Sequence, residues 1–229
     1  MRAKYLGLDL PSPIIVSSSP YTSNVKSVEQ CAASGAGAVV LKSIFEEQIL
    51  HHAAALDTVS DSAYGDAEVY LQRYLGEDYK AGFLRLVQEA RSKTELPVIA
   101  SINCVVDKGD WIEYATAMAD AGASALELNI FIQSTDIHAQ ARELELNYAE
   151  IVGRVAGAVK IPVSVKLPMR LTNVFALSSA LLGHGARGVV FFNRFFEPDV
   201  DVERMTFVES SPYSCLLYTS PSPRDVEES

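Results

Sequence analysis

Lys42 and Lys166 each stand at the end of a short apolar run, and so do Ser17, Asn103, Asn129 and Asn193. A lysine at the edge of an apolar interior can neutralise an anion that develops in a reaction, or attack a carbonyl as a free amine once desolvation lowers its pKa. Asparagine donates and accepts hydrogen bonds at once, which suits a planar substrate whose carbonyl and N–H groups alternate. Either residue also ends ordinary strands; recurrence at six run ends is what points to a site.

The runs themselves cover 14–16, 38–41, 98–102, 125–128, 163–165 and 189–192. They are short, mostly continuous and rich in β-branched residues, as expected of strands buried on both faces of a parallel sheet. Two kinds of entry alternate ahead of them. Gly35-Ala36-Gly37, Gly122-Ala123-Ser124 and Gly185-Ala186-Arg187 offer glycine for a left-handed helix end, while Ser12-Pro13, Leu96-Pro97 and Ile161-Pro162 put proline at the strand start. Helices are predicted over 27–34, with a Ser27/Gln30 capping box, and over 110–121, 148–158 and 173–182. Further helical patterns cover 66–75 and 79–93, after a polar segment at 56–65 whose place behind a strand suits a substrate loop. The expected fold is α/β, an incomplete (β/α)8 barrel with about six of its eight strands, whose carboxyl strand ends carry the chemistry. A doubly wound open sheet would leave similar alternation.

At 229 residues and 48% apolar content the chain can bury a full core. No run approaches the roughly 20 apolar residues of a membrane-spanning helix, and the amino terminus lacks a signal-like stretch, so the cytoplasm is the expected location. A formal charge of −10 disfavours nucleic acid and anionic membranes as partners and leaves a small-molecule substrate. Cys31, Cys104 and Cys215 show no zinc or iron–sulfur spacing, and among His51, His52, His138 and His184 only the adjacent pair is close, so no metal is expected.

Residues 215–225 have neither the strand nor the helix period. They look like one reading frame of the transposase adapter used in sequencing libraries. The expected organisation is therefore a barrel domain over 1–214, cut short at its carboxyl end, and a non-native disordered tail over 215–229.

Leu8-Asp9-Leu10-Pro11-Ser12-Pro13-Ile14 with Ser17-Ser18-Ser19, the stretch 35–43, Glu127-Leu128-Asn129, Val165-Lys166-Leu167-Pro168 and the strand ending at Asn193 together resemble the class 1 dihydroorotate dehydrogenases. The stretch Asn193-Arg194-Phe195-Phe196-Glu197-Pro198-Asp199 is similar to the dihydroorotate dehydrogenase-like branch of that family. The resemblance implies an FMN-dependent barrel and hydride transfer to flavin from a dihydropyrimidine-like substrate in pyrimidine biosynthesis. It also implies a homodimer or a separate electron-transfer subunit. It places Lys166 at the flavin edge, Lys42 against flavin and substrate, Ser17, Ser18 and Ser43 beside the cofactor, and Asn103, Asn129 and Asn193 on the rings. Where the family carries a catalytic cysteine this chain has Ile132, so Ser134 is the nearest candidate base, and 60–65 does not match the family's orotate loop. Dihydroorotate itself is therefore expected to be a poor substrate. Two alternatives remain: a Schiff-base lyase or aldolase using Lys42 or Lys166, and an inactive barrel fragment.

Overall fold

The computed structural model describes residues 2–45, 80–103, 111–132, 138–169, 171–193, 199–201 and 206–208. A hairpin opens the chain: β1 (Ala3–Tyr5) pairs antiparallel with β2 (Leu8–Leu10) around a two-residue turn at Leu6 and Gly7, both in the left-handed region with φ of 55° and 80°. Gly7 adopts this freely. For Leu6 it costs roughly 1–2 kcal/mol, which is offset by burying the side chain, worth about 1.5–3 kcal/mol.

The main sheet follows. Its strands are β3 (Ile15–Val16), β4 (Ala38–Val40), β5 (Ile44–Phe45), β6 (Val98–Asn103), β7 (Ala125–Asn129), β8 (Val163–Leu167) and β9 (Gly188–Phe191). All pairings are parallel, in the order β3-β4-β6-β7-β8-β9, with β5 also on β6. The helices are α1 (Val25–Ala33), α2 over 80–93, α3 (Trp111–Asp120), α4 (Ala141–Ala158) and α5 (Val174–Gly183).

Two observations separate a barrel arc from a doubly wound sheet. Along the path β3-β4-β6-β7-β8-β9 the strands lie side by side in chain order, with no reversal. The helices also share one face: Val28, Val87, Met118, Val152 and Leu177 pack with Val39, Val98, Leu126 and Val165 in one core, while Ala38, Val40, Ile99 and Ala125 face the other way and are covered by Leu6 and Leu10 of the hairpin. The sheet is thus a parallel half-barrel of six strand positions with helices outside, consistent with an incomplete (β/α)8 barrel, and the hairpin fills its interior at the amino-terminal end.

Close backbone approach fixes the first turn of the arc. A Cβ on Gly37 would lie 1.8 Å from the Ser12 carbonyl oxygen, and the Gly37 N–H donates to Ile14 O at 2.7 Å. Three helix boundaries correct the sequence reading. Asn24, not Ser27, caps α1, accepting from the Ser27 N–H at 2.9 Å, while Gln30 accepts from the Tyr21 hydroxyl. The helix predicted from residue 148 begins at Ala141, and Asn173 caps α5 where a helical first residue was expected. The predicted 66–75 helix and the 56–65 segment lie outside the described residues, as do Cys104, Cys215, His51 and His52.

A second compact unit begins at Arg194. In it β10 (Asp199–Asp201) pairs antiparallel with β11 (Thr206–Val208).

Candidate active site at the carboxyl ends of the strands

Lys42 sits in a bulge. Val40 pairs with Ile99 and Ile44 with Ile102, so three residues (41–43) span what two (100–101) span on β6. The extra residue releases two backbone donors from the ladder. Lys42 N–H turns to Thr22 O at 3.2 Å, and Ser43 N–H to Ser18 Oγ at 2.9 Å. Buried Thr22 is held in its own turn, its hydroxyl accepting from Ser19 N–H and donating to Ser19 O. The loop after β3 is thereby fastened beneath the half-buried Lys42, and Ser17 stays exposed at its start.

From this bulge a line of polar side chains crosses the inner face of the sheet. Ser18 Oγ lies 3.0 Å from Ser43 Oγ, which lies 2.8 Å from Ser101 Oγ. Ser101 donates to Glu127 Oε1 at 3.4 Å, the longest link. Strand register explains the alignment, since Ser101 pairs with Glu127, and Glu127 with Ser164. Glu127 is only 4% exposed. Burial pushes its carboxyl pKa up, opposed by the Lys166 ammonium and by the Ser101 hydroxyl. Below it, burial also raises the Tyr5 hydroxyl, opposed by a hydrogen bond with Ser164 and reinforced by the Glu127 charge.

Two residues further along each strand comes the rim. Asn103 ends β6, Asn129 is buried at the end of β7, and Lys166 lies opposite Asn129 in register. Asn193, just past β9, donates through Nδ2 to Asn129 Oδ1 at 2.9 Å and through its backbone to Leu167 O at 2.7 Å. The structure therefore joins Ser18 with Ser43, and Asn129 with Asn193, and sets Lys166 beside both Asn129 and Glu127. Ser134 lies outside the described residues. Ile132 donates its N–H to the buried Tyr148 hydroxyl at 3.1 Å, in the wall of a cavity of about 550 Å³.

Sequence reasoning passed over Ser101 and Glu127 by treating their runs as continuous and apolar. The signal was a period of two: Ser101 before Asn103, Glu127 before Asn129 and Ser164 before Lys166 share one strand face. A larger cleft of about 760 Å³ opens at the other end of the strands, carrying Lys160, His184 and Arg187 near the carboxyl ends of α4 and α5. Polar side chains there cap helix termini, as when the His184 ring meets Ala180 O at 2.7 Å, so volume alone does not mark the chemistry.

A singly wound parallel arc whose polar side chains gather at its carboxyl mouth has the layout of a (β/α)8-barrel enzyme site. No family model matches the chain. By sequence it is 34% identical over 123 residues to an Aeropyrum pernix protein named dihydroorotate dehydrogenase A (fumarate), covering 52% of this chain and 38% of that one. It is 29% identical over 204 residues to the catalytic subunit of dihydroorotate dehydrogenase B (NAD(+)) from Methanocella arvoryzae, covering 86% of this chain and 62% of that subunit. The chain thus spans 38–62% of the length of these relatives. Their agreement is consistent with a dihydroorotate dehydrogenase-like family of oxidoreductases. Among solved structures, a dihydrodipicolinate synthase of Agrobacterium tumefaciens aligns with a TM-score of 0.45 at 14% identity, over 76% of this chain and 52% of that one.

Proposed function

We propose that the chain is the flavin-binding barrel of a dihydroorotate dehydrogenase-like oxidoreductase, reducing FMN with a dihydropyrimidine-like substrate. The supporting observation is the gathering of Lys166, Asn129, Asn193 and the serine line at neighbouring strand ends. This donor set fits a planar, polar ring with a developing negative charge: a cation beside fixed amides and hydroxyls, on a floor of buried side chains. FMN, when bound, supplies the hydride acceptor.

The chain's own residues do the rest. Lys166, half-buried beside Asn129, compensates the anion left on reduction, and Lys42 reaches the ring system from the bulge. Ser17, Ser18, Ser43, Asn103, Asn129 and Asn193 bind and orient the rings, with the Asn129–Asn193 bond fixing two amides at once. Ser134 is the proposed proton acceptor, because Ile132 in the preceding stretch has no group that can take a proton. Dihydroorotate is accordingly a poor fit, and a related ring the better one. The protein works in the cytoplasm, as a homodimer or with a separate electron-transfer subunit. Its barrel domain is 1–214, with 215–229 foreign to it. No helix among the described residues is long and apolar enough to cross a membrane.

The test is electrostatic and needs no substrate. In the full-length protein reconstituted with FMN, Lys166→Ala should lower the flavin midpoint potential, because the reduced anion loses its counter-charge while the fold is retained. A potential equal to wild type, with an unchanged circular dichroism spectrum, would remove Lys166 from the flavin edge.

A further inference from the structure

The hydroxyls of Ser101, Ser43 and Ser18 form an unbroken line from a buried carboxylate to the rim, and their hydrogen-bond capacity allows two arrangements in which every hydroxyl donates in the same direction. Each hydroxyl carries one proton and two lone pairs. One lone pair of Ser18 Oγ is always taken by the Ser43 N–H at 2.9 Å.

With Glu127 ionised, its carboxylate can only accept. Ser101 must donate to it, Ser43 to Ser101 and Ser18 to Ser43, across 3.4, 2.8 and 3.0 Å. Ser18 then has one lone pair left and presents an acceptor at the rim. With a proton on Glu127 Oε1, the line runs the other way: Glu127 donates to Ser101, Ser101 to Ser43 and Ser43 to Ser18. Both lone pairs of Ser18 are now filled, and its O–H is turned outward as a donor. One proton at Glu127 therefore inverts what the rim offers, without moving a heavy atom.

We propose that Glu127 is a positioning residue whose protonation state sets the direction of the Ser101–Ser43–Ser18 chain, and so decides whether Ser18 offers the bound ring a donor or an acceptor. That the ring is a flavin rests on the function proposed above; the chain itself does not. The groups facing Glu127 come from three strands. They are Lys166 on β8, which favours the charged form, Tyr5 on β1, which carries no charge in its ordinary state, and Ser101 on β6. Burial favours the neutral form and opposes the Lys166 charge. The proton enters from solvent and returns to it, and no bond between heavy atoms changes.

The Ser43 amide reports on the far end of the line, because its N–H is bonded to Ser18 Oγ. In the full-length protein without ligand, its NMR shift should titrate with the same midpoint as the Glu127 carboxyl carbon. In Glu127→Gln, whose side chain does not titrate, the Ser43 response should vanish. In Ser101→Ala, Glu127 should still titrate, with a higher midpoint, while Ser43 no longer follows. A Ser43 shift that is flat in wild type, or that still follows Glu127 in Ser101→Ala, would overturn the proposal. A second arm measures FMN affinity against pH: beyond the bend that the FMN phosphate itself gives near its second pKa of about 6, wild type should bend at the Glu127 midpoint and both variants should not. A coupled Ser43 response with no FMN binding at any pH supports the chain and removes the flavin reading, whereas a bend at the wild-type Glu127 midpoint that persists in Glu127→Gln overturns the chain's control of the ligand.

Discussion

Glu127 is the residue on which the inner face of the barrel turns, and its energetics have a definite sign. Its folded-state pKa is raised, chiefly by burial. A carboxyl of this kind binds its proton more tightly folded than unfolded, so its contribution to stability is fully present below the unfolded value and is lost as pH rises through the folded one. The Lys166 charge and the Ser101 hydroxyl oppose this without reversing it. Glu127→Gln should therefore melt at the same temperature as wild type in acid and above it at pH 8. Thermal melts at the two pH values check this, and a variant less stable than wild type at pH 8 would mean that the Lys166 attraction outweighs burial. Lys166 and Asn129 were legible in the sequence because each ends an apolar run. Glu127 was not, because a charged residue between two leucines looks like part of the run until the period-two pattern of its neighbours is counted.

At the scale of elements, backbone proximity matters more than propensity. Gly37→Ala should cost about 3 kcal/mol or more or prevent folding, since its Cβ would meet the Ser12 backbone, which cannot rotate away. Gly157→Ala on α4 meets nothing within 4 Å and should gain about 0.5–1 kcal/mol from helix propensity. Urea unfolding of the pair measures both, and equal effects would show that the approach of β3 to β4 is looser than the structure has it. The six strands β3, β4, β6, β7, β8 and β9 were readable from apolar runs and glycine or proline punctuation to within a residue or two, whereas the short β5, β10 and β11 were not. The first hairpin was not, because its turn carries leucine where asparagine or aspartate is usual, and the reason for Leu6 is tertiary burial. The start of α4 was missed for a related reason: residues 141–147 are mostly exposed or half-exposed and carry little apolar period. The bulge at Lys42 exists only as a mismatch in register between two strands, which no single run displays.

Across the whole molecule, the half-barrel has β3 and β9 paired on one side only within its sheet. Apolar side chains stand exposed near both: Ile14 by β3, Phe191 and Phe192 at the end of β9, and Phe175 (83% exposed) with Leu182 on α5. Unpaired strand edges and contiguous apolar surface favour association. The 229-residue chain should self-associate in light scattering, and a version continued through further barrel strands should be monodisperse or a defined dimer. Removing 215–229 should change neither result. A monomeric 229-residue chain with a single cooperative melt would show that the arc is closed by means other than added strands.

The proposed function requires the strand-end rim to hold a flavin. Titrating the full-length protein with FMN, followed by fluorescence quenching, tests this most directly. One FMN per chain is predicted, weakened roughly tenfold or more in Lys166→Ala, in keeping with loss of a charge-assisted contact. Absence of binding, or binding that Lys166→Ala and Asn193→Ala leave untouched, would contradict it.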